Sequence, residues 1–243
     1  MNKLDRRYRL RTSDFDRYHK ILPATLLDMF QDMAGEHADY IGVGYDSMNE
    51  KKFFWVLLRV KYEVIKMPKL YTDITASTWP HEPKKSFFVR DYMIADESGE
   101  TLVIGSSQWG VVDLESRRII APKNVEFDID EYYPKSNFDY TLRKLKDFEF
   151  TDDMVPYEVL SGYTDIDING HVNNIKYSNY IINAIRLPED EIIKEFQIDY
   201  RKEVKEGEKL YIYHVREEDM IYCKGCDLDG QVMFAAEIKL SKK

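Results

Sequence analysis

Residues 165–174 read Asp-Ile-Asp-Ile-Asn-Gly-His-Val-Asn-Asn, which places a carboxylate (Asp167), a carboxamide (Asn169) and an imidazole (His171) within five residues. Together these groups can polarise a carbonyl, hold a water and move a proton. Behind them Val172, Ile175, Ile182 and Ile185 recur at helical spacing. A helix starting there would set unsatisfied backbone N–H groups beside the trio. The same residues also suit a local role, since Asn169-Gly170 is a strong turn dipeptide and Asp167 or Asn173 can cap the helix. The two roles are compatible: a turn that runs into a helix start offers a positive dipole end to an anionic oxygen forming above it.

Larger elements must hold that trio in place. In the second half the helix pattern is followed by β-rich runs at about 193–204, 209–216, 219–227 and 231–240, with Asp229-Gly230 as a hairpin signal. The first half repeats the order. Leu26, Phe30, Met33, His37 and Ile41 mark an amphipathic helix over 24–41, and runs at 54–64, 71–79, 86–95 and 101–112 follow, with a turn at Asp96–Gly99. An ungapped match at an offset of 140 (201 − 61) lays Lys61–Tyr71 on Arg201–Tyr211 with five identities in eleven positions, and pairs Glu63 with Glu203. The reading is of two repeated domains, 1–120 and 148–243, joined by a linker at 121–147 that carries Pro122 and Pro134. Each is one helix against a curved antiparallel sheet, an α+β arrangement. A half of this size exposes sheet edges and gains by pairing with its twin, which also leaves room for a homodimer. Before the first helix, Asp16-Arg-Tyr-His-Lys20 takes the trio's place without the Asn and His in register, so one active site per chain is expected.

Composition narrows the classes. A chain of 243 residues, 44% hydrophobic and 33% charged, is a folded globular protein, and its formal charge of −9 argues against a nucleic-acid partner. No apolar stretch approaches the roughly 18 residues of a membrane span, and the opening Met-Asn-Lys-Leu-Asp-Arg-Arg lacks the apolar core of a secretion signal, so a cytoplasmic location is expected. Cys223 and Cys226 form the one Cys-x-x-Cys, with no second pair to complete a zinc site. Three apart on a strand they point to opposite faces and read as plain thiols; no metal is expected.

With these residues in view, the chain resembles the acyl-acyl carrier protein thioesterases, which are double hot-dog proteins. The likeness runs through Asp167-Ile-Asn-Gly-His171-Val-Asn-Asn-Ile-Lys-Tyr177 and Tyr200-Arg-Lys-Glu203, and in the first half through Tyr8-Arg-Leu-Arg11, the helix from Leu26 to His37, and Trp55-Val-Leu57. It implies two tandem hot-dog domains, each a long helix wrapped by a curved antiparallel sheet. It also implies hydrolysis of the thioester that joins a fatty acyl chain to its carrier protein, releasing free fatty acid and ending chain elongation. The family's catalytic Asp, Asn, His and Glu fall on Asp167, Asn169, His171 and Glu203, and no cofactor is implied. Where plant members carry a Cys after the Glu this chain has Val204, so no thiol is required, and the first Glu of the strand motif is Asp199 here. Lacking a plastid transit segment, it is similar to a bacterial-type member. Taken without the resemblance, Glu203 shares an alternating strand face with Gln197, Asp199 and Arg201 and reads as solvated surface charge.

The resemblance gives the acyl chain to the first half, where Met29, Met33, Phe53 and Phe54 are lining candidates that equally suit a core. The carrier is acidic, so a basic patch must receive it: Lys84-Lys85 with Arg90, or Arg143-Lys144 with Lys146. His37, on the apolar stripe, and Trp55, Trp79 and Trp109 read as core. An acyl-coenzyme A thioesterase and a non-catalytic acyl-binding module are the alternatives. The full set of Asp167, Asn169, His171 and Glu203 argues against the module.

Overall fold

Pro23 stands at the first position of helix α1 (Pro23–Tyr40), where its missing N–H costs nothing, and Gly42, at φ 72°, takes the left-handed conformation just past the end. Leu26, Phe30, Met33 and His37 are all buried on one face of α1. That face demands space on the sheet beneath it. Phe30 stacks on Tyr92 with centroids 4.2 Å apart, and a Cβ at Gly105 would lie 2.4 Å from the Phe30 ring, so only glycine fits there.

The computed structural model describes residues 2–149, 151 and 154–243. The chain divides into two units, Met1–Leu142 and Arg143–Lys243. In the first, β1 (Leu4–Arg9), α1, α2 (Tyr45–Glu50), β2 (Phe53–Val64), β3 (Asp73–Pro80), β4 (Phe88–Asp96), β5 (Thr101–Asp113) and the short β6 (Ile119–Ile120) follow in order. The strands pair antiparallel as β1-β3-β4-β5-β2, with β6 added to β5. In the second, β7 (Tyr157–Leu160), α3 (Asn174–Ile185), β8 (Glu191–Tyr200), β9 (Lys209–Glu217), β10 (Met220–Cys226) and β11 (Val232–Lys242) pair antiparallel as β7-β9-β10-β11-β8. Counting strands within each unit, both sheets run first, third, fourth, fifth, second.

Hydrogen bonds fix the repeat more finely than residue identity does. Leu10 N–H donates to Thr72 C=O and Tyr71 N–H to Leu10 C=O, as Ser161 N–H does to Glu208 C=O and Gly207 N–H to Ser161 C=O. Tyr71 therefore corresponds to Gly207, an offset of 136 (207 − 71) rather than 140. In that register the counterpart of Glu203 is Met67 (203 − 136), and Glu63 has no relation to it. The hairpin turns match as well: Asp96 Oδ1 accepts the N–H of Ser98 and Glu100, and Asp227 Oδ1 accepts those of Asp229 and Gln231.

Two differences from the sequence reading bear on the site. The run expected to reach residue 204 stops at Tyr200. The segment 121–142, expected as linker, lies within the first unit and is fastened there. Trp79 Nε1 donates to Lys135 C=O at 2.8 Å, Asn137 N–H to Asp91 Oδ2 at 2.7 Å, and Gln108 Nε2 to Leu142 C=O at 2.9 Å. The edge strands β1 and β7 and the helix α2 were not foreseen.

Candidate active site

The trio sits on a turn closed by the bridge between Ile166 and Val172, just ahead of α3. Asp167 N–H donates to His171 C=O at 2.9 Å and Gly170 N–H to Asp167 C=O at 3.0 Å, with Gly170 at φ 81°. The Asp167 carboxylate accepts Asn169 N–H at 2.8 Å, and its second oxygen is 3.4 Å from the Asn169 amide nitrogen. Asn173 caps α3, its side chain accepting Ile175 N–H at 3.0 Å, so Asp167 is not the capping residue.

Glu203 reaches this turn because the chain leaves the sheet after Tyr200. Arg201 N–H and Lys202 N–H both donate to Met233 C=O, at 2.9 and 3.1 Å, a bulge that swings the following residues off the strand. Val204 is buried, and its C=O accepts Val172 N–H at 2.7 Å, which ties the residue after Glu203 to the residue after His171. His171 Nε2 then lies 3.0 Å from Glu203 Oε2. Glu203 is exposed charge, its side chain 53% accessible, but it does not lie on a solvated strand face. It is past the strand, and the face itself is covered: Asp199 is 1% exposed and accepts Leu145 N–H at 2.8 Å, while Gln197 donates to Arg143 C=O at 2.9 Å.

Two tyrosines that sequence reasoning passed over brace the pair. Tyr200 Oη donates to Asn174 C=O at 3.0 Å, joining the end of β8 to the first turn of α3. Tyr177 packs edge-on to Tyr200 at 5.6 Å and to Phe234 at 5.3 Å. Burial pushes the Tyr177 hydroxyl above its ordinary pKa and the charges of Glu203 and Asp167 push the same way, against a hydrogen bond to the Val204 backbone, so it stays neutral. Its place six residues beyond His171, inside the same helix start, was the one available signal.

Other candidates fall into the core. His37 is fully buried with Nδ1 2.9 Å from Arg90 Nη1, and burial lowers the Arg90 guanidinium to about 10. Arg90 is thus removed from the basic patch proposed with Lys84 and Lys85. Trp79 is fully buried, and Trp55 packs edge-on to Phe88 and Trp109. Met29 and Met33 are buried, and Phe53 and Phe54 partly so. Cys223 and Cys226 are buried free thiols, both raised in pKa by burial. Among the described residues no cluster of His, Cys, Asp and Glu could hold a metal ion, and no helix is long and apolar enough to cross a membrane.

Residues 1–132 match the acyl-ACP thioesterase N-terminal domain and residues 150–241 the acyl-ACP thioesterase C-terminal domain. The chain belongs to the acyl-ACP thioesterase family. A chloroplastic palmitoyl-acyl carrier protein thioesterase of Arabidopsis thaliana is 28% identical over 228 residues, covering 88% of this chain and 53% of its own length. A second Arabidopsis relative, oleoyl-acyl carrier protein thioesterase 2, is 25% identical over 76% of this chain and 55% of its own. The chain thus spans about half the length of the curated relatives it matches. Among solved structures, an acyl-ACP thioesterase from Bacteroides thetaiotaomicron superposes with a TM-score of 0.84 at 23% identity, covering 98% of both chains. The 12:0-ACP thioesterase of Umbellularia californica does so at 0.82 and 21%, over 99% of this chain and 98% of its own. These likenesses establish the hot-dog-like α+β fold for this member of the thioesterase family.

Proposed function

We propose that this chain hydrolyses the thioester of a fatty acyl-acyl carrier protein and releases free fatty acid, with Asp167, Asn169, His171 and Glu203 as its catalytic residues. The observation that carries the reading is the 3.0 Å approach of His171 Nε2 to Glu203 Oε2, made by two segments that no local rule would bring together. A carboxylate at Nε2 favours the tautomer protonated there and leaves Nδ1 as the base. A water placed over the turn loses its proton to His171 as its oxygen bonds to the thioester carbon. The carbonyl oxygen becomes an oxyanion near the Asn169 amide and the positive start of α3. The C–S bond then breaks and His171 returns the proton to the leaving thiolate. Asp167 holds Asn169 in the turn, its carboxylate accepting the Asn169 N–H. In this reading the first unit, which lacks these groups, receives the acyl chain.

The test is thiol release from acyl-carrier protein and from acyl-coenzyme A carrying the same chain. The carrier thioester is expected to be the better substrate, and Glu203→Gln and Asp167→Asn are expected to lower kcat by roughly 10²–10⁴, the range for removal of acid–base machinery. Near-normal turnover in both variants would sink the assignment.

A further inference from the structure

The second unit begins with a basic strip whose backbone is fastened to Gln197, Asp199 and Arg201. Arg143, Lys144 and Lys146 are exposed, whereas Leu145 between them is buried. The backbone is fastened on both sides of that anchor. Leu145 N–H donates to Asp199 Oδ2 at 2.8 Å, Gln197 Nε2 to Arg143 C=O at 2.9 Å, and Arg201 Nη2 to Leu145 C=O at 3.0 Å, while Arg201 also pairs with Asp147. Many basic side chains of this acidic chain are neutralised by a neighbour. In the second unit Lys176, Lys209, Arg216, Lys239 and Lys242 all have carboxylate partners. Arg143, Lys144 and Lys146 have none among the described residues. The alternative patch is weaker, since Arg90 is buried and leaves Lys84 and Lys85 alone.

Position matters as much as charge. Arg201, which grips the strip at Leu145, is two residues from Glu203, a chain span of at most about 7 Å. A macromolecule that lays acidic side chains on the strip is therefore held beside the catalytic pair. We infer that Arg143, Lys144 and Lys146 form the docking surface for the acidic carrier protein, an assignment that rests on the proposed function. A compact acidic protein suits a strip of three cations within four residues, whereas an extended polyanion would run past it onto a chain whose net charge is −9.

The decisive measurement compares kcat/KM for acyl-carrier protein with that for the same acyl chain on N-acetylcysteamine, a minimal thioester with neither carrier nor nucleotide. In Arg143→Glu/Lys144→Glu/Lys146→Glu the ratio of the two is expected to fall at least roughly tenfold, and the salt dependence of the carrier reaction to flatten. Lys84→Glu/Lys85→Glu is expected to leave the ratio in place. An unchanged ratio in the triple variant overturns the assignment. So does an equal loss on both thioesters, a fall produced by the Lys84 and Lys85 changes instead, or loss of binding to phosphatidylglycerol vesicles with the ratio intact. A wild-type chain that hydrolyses neither thioester would instead overturn the function on which the docking surface depends.

Discussion

Gly170 stands between Asn169 and His171 at φ 81°, a conformation that a Cβ disfavours, with no atom within 4 Å of where that Cβ would sit. Space is therefore not the constraint; backbone strain is. Gly170→Ala is expected to cost about 1–2 kcal/mol in urea unfolding, and to lower kcat further than that loss of folded protein explains, because His171 is the next residue. Unchanged kcat with reduced stability would show that the turn tolerates the strain without moving the imidazole. At this scale the trio was legible because its three members are close in sequence. Glu203 was not, since its meeting with His171 depends on the Met233 bulge and the Val172–Val204 bond, neither of which leaves a local pattern. The alternation of Gln197, Asp199 and Arg201 suggested a wet face for the same reason: the segment covering it comes from elsewhere in the chain.

Elements that carry long alternating or helical patterns, such as α1, β2, β5 and β11, could be read within a few residues of their observed ends. Elements defined by their neighbours could not. β1, Leu-Asp-Arg-Arg-Tyr-Arg, is an edge strand whose charge hides its pairing with β3, and β7 has four residues. The ends of β8, β9 and β11 are joined by a clip of the same hidden kind. Arg216 Nη1 and Nη2 each donate to Glu191 at 2.7 Å, and Lys242 Nζ approaches at 3.3 Å. The Arg216 bonds, aided by Lys242 against the opposing effect of burial, hold the Glu191 carboxyl down to about 2. A carboxyl with a depressed folded-state pKa adds stability that is present above its unfolded value, about 4.5, and is lost as pH falls towards 2. Glu191→Gln is therefore expected to be less stable than wild type at neutral pH and to lose less on acidification, with the two urea midpoints converging from about pH 6 down to about pH 3. Parallel midpoints across that range would show that the clip contributes nothing.

For the molecule as a whole, the repeat was visible but its register was not. Offsets of 140 and 136 differ by four residues, an even number that keeps the alternation of a strand in phase, so apolar and polar types agree in either register. The corrected register decides how many active sites a chain can hold. The first unit's turn repeats three bonds of the second's: Asp16 N–H donates to Lys20 C=O, His19 N–H to Asp16 C=O, and Asp16 Oδ1 accepts Tyr18 N–H. An offset of 151 (167 − 16) sets Asp16, Tyr18 and Lys20 at the places of Asp167, Asn169 and His171. Lys20 is buried, with Nζ 5.0 Å from the Tyr18 ring centre, and Met67 stands where the acid would be. The backbone of the proposed site is therefore present twice, and its set of side chains once. Calorimetric titration with a carrier protein bearing its acyl chain through a non-hydrolysable thioether should give one binding event per chain, and Asp167→Asn should leave no slower second activity. A stoichiometry of two, or residual turnover removed only by changing Asp16, would mean that the first turn has kept a function its side chains do not reveal.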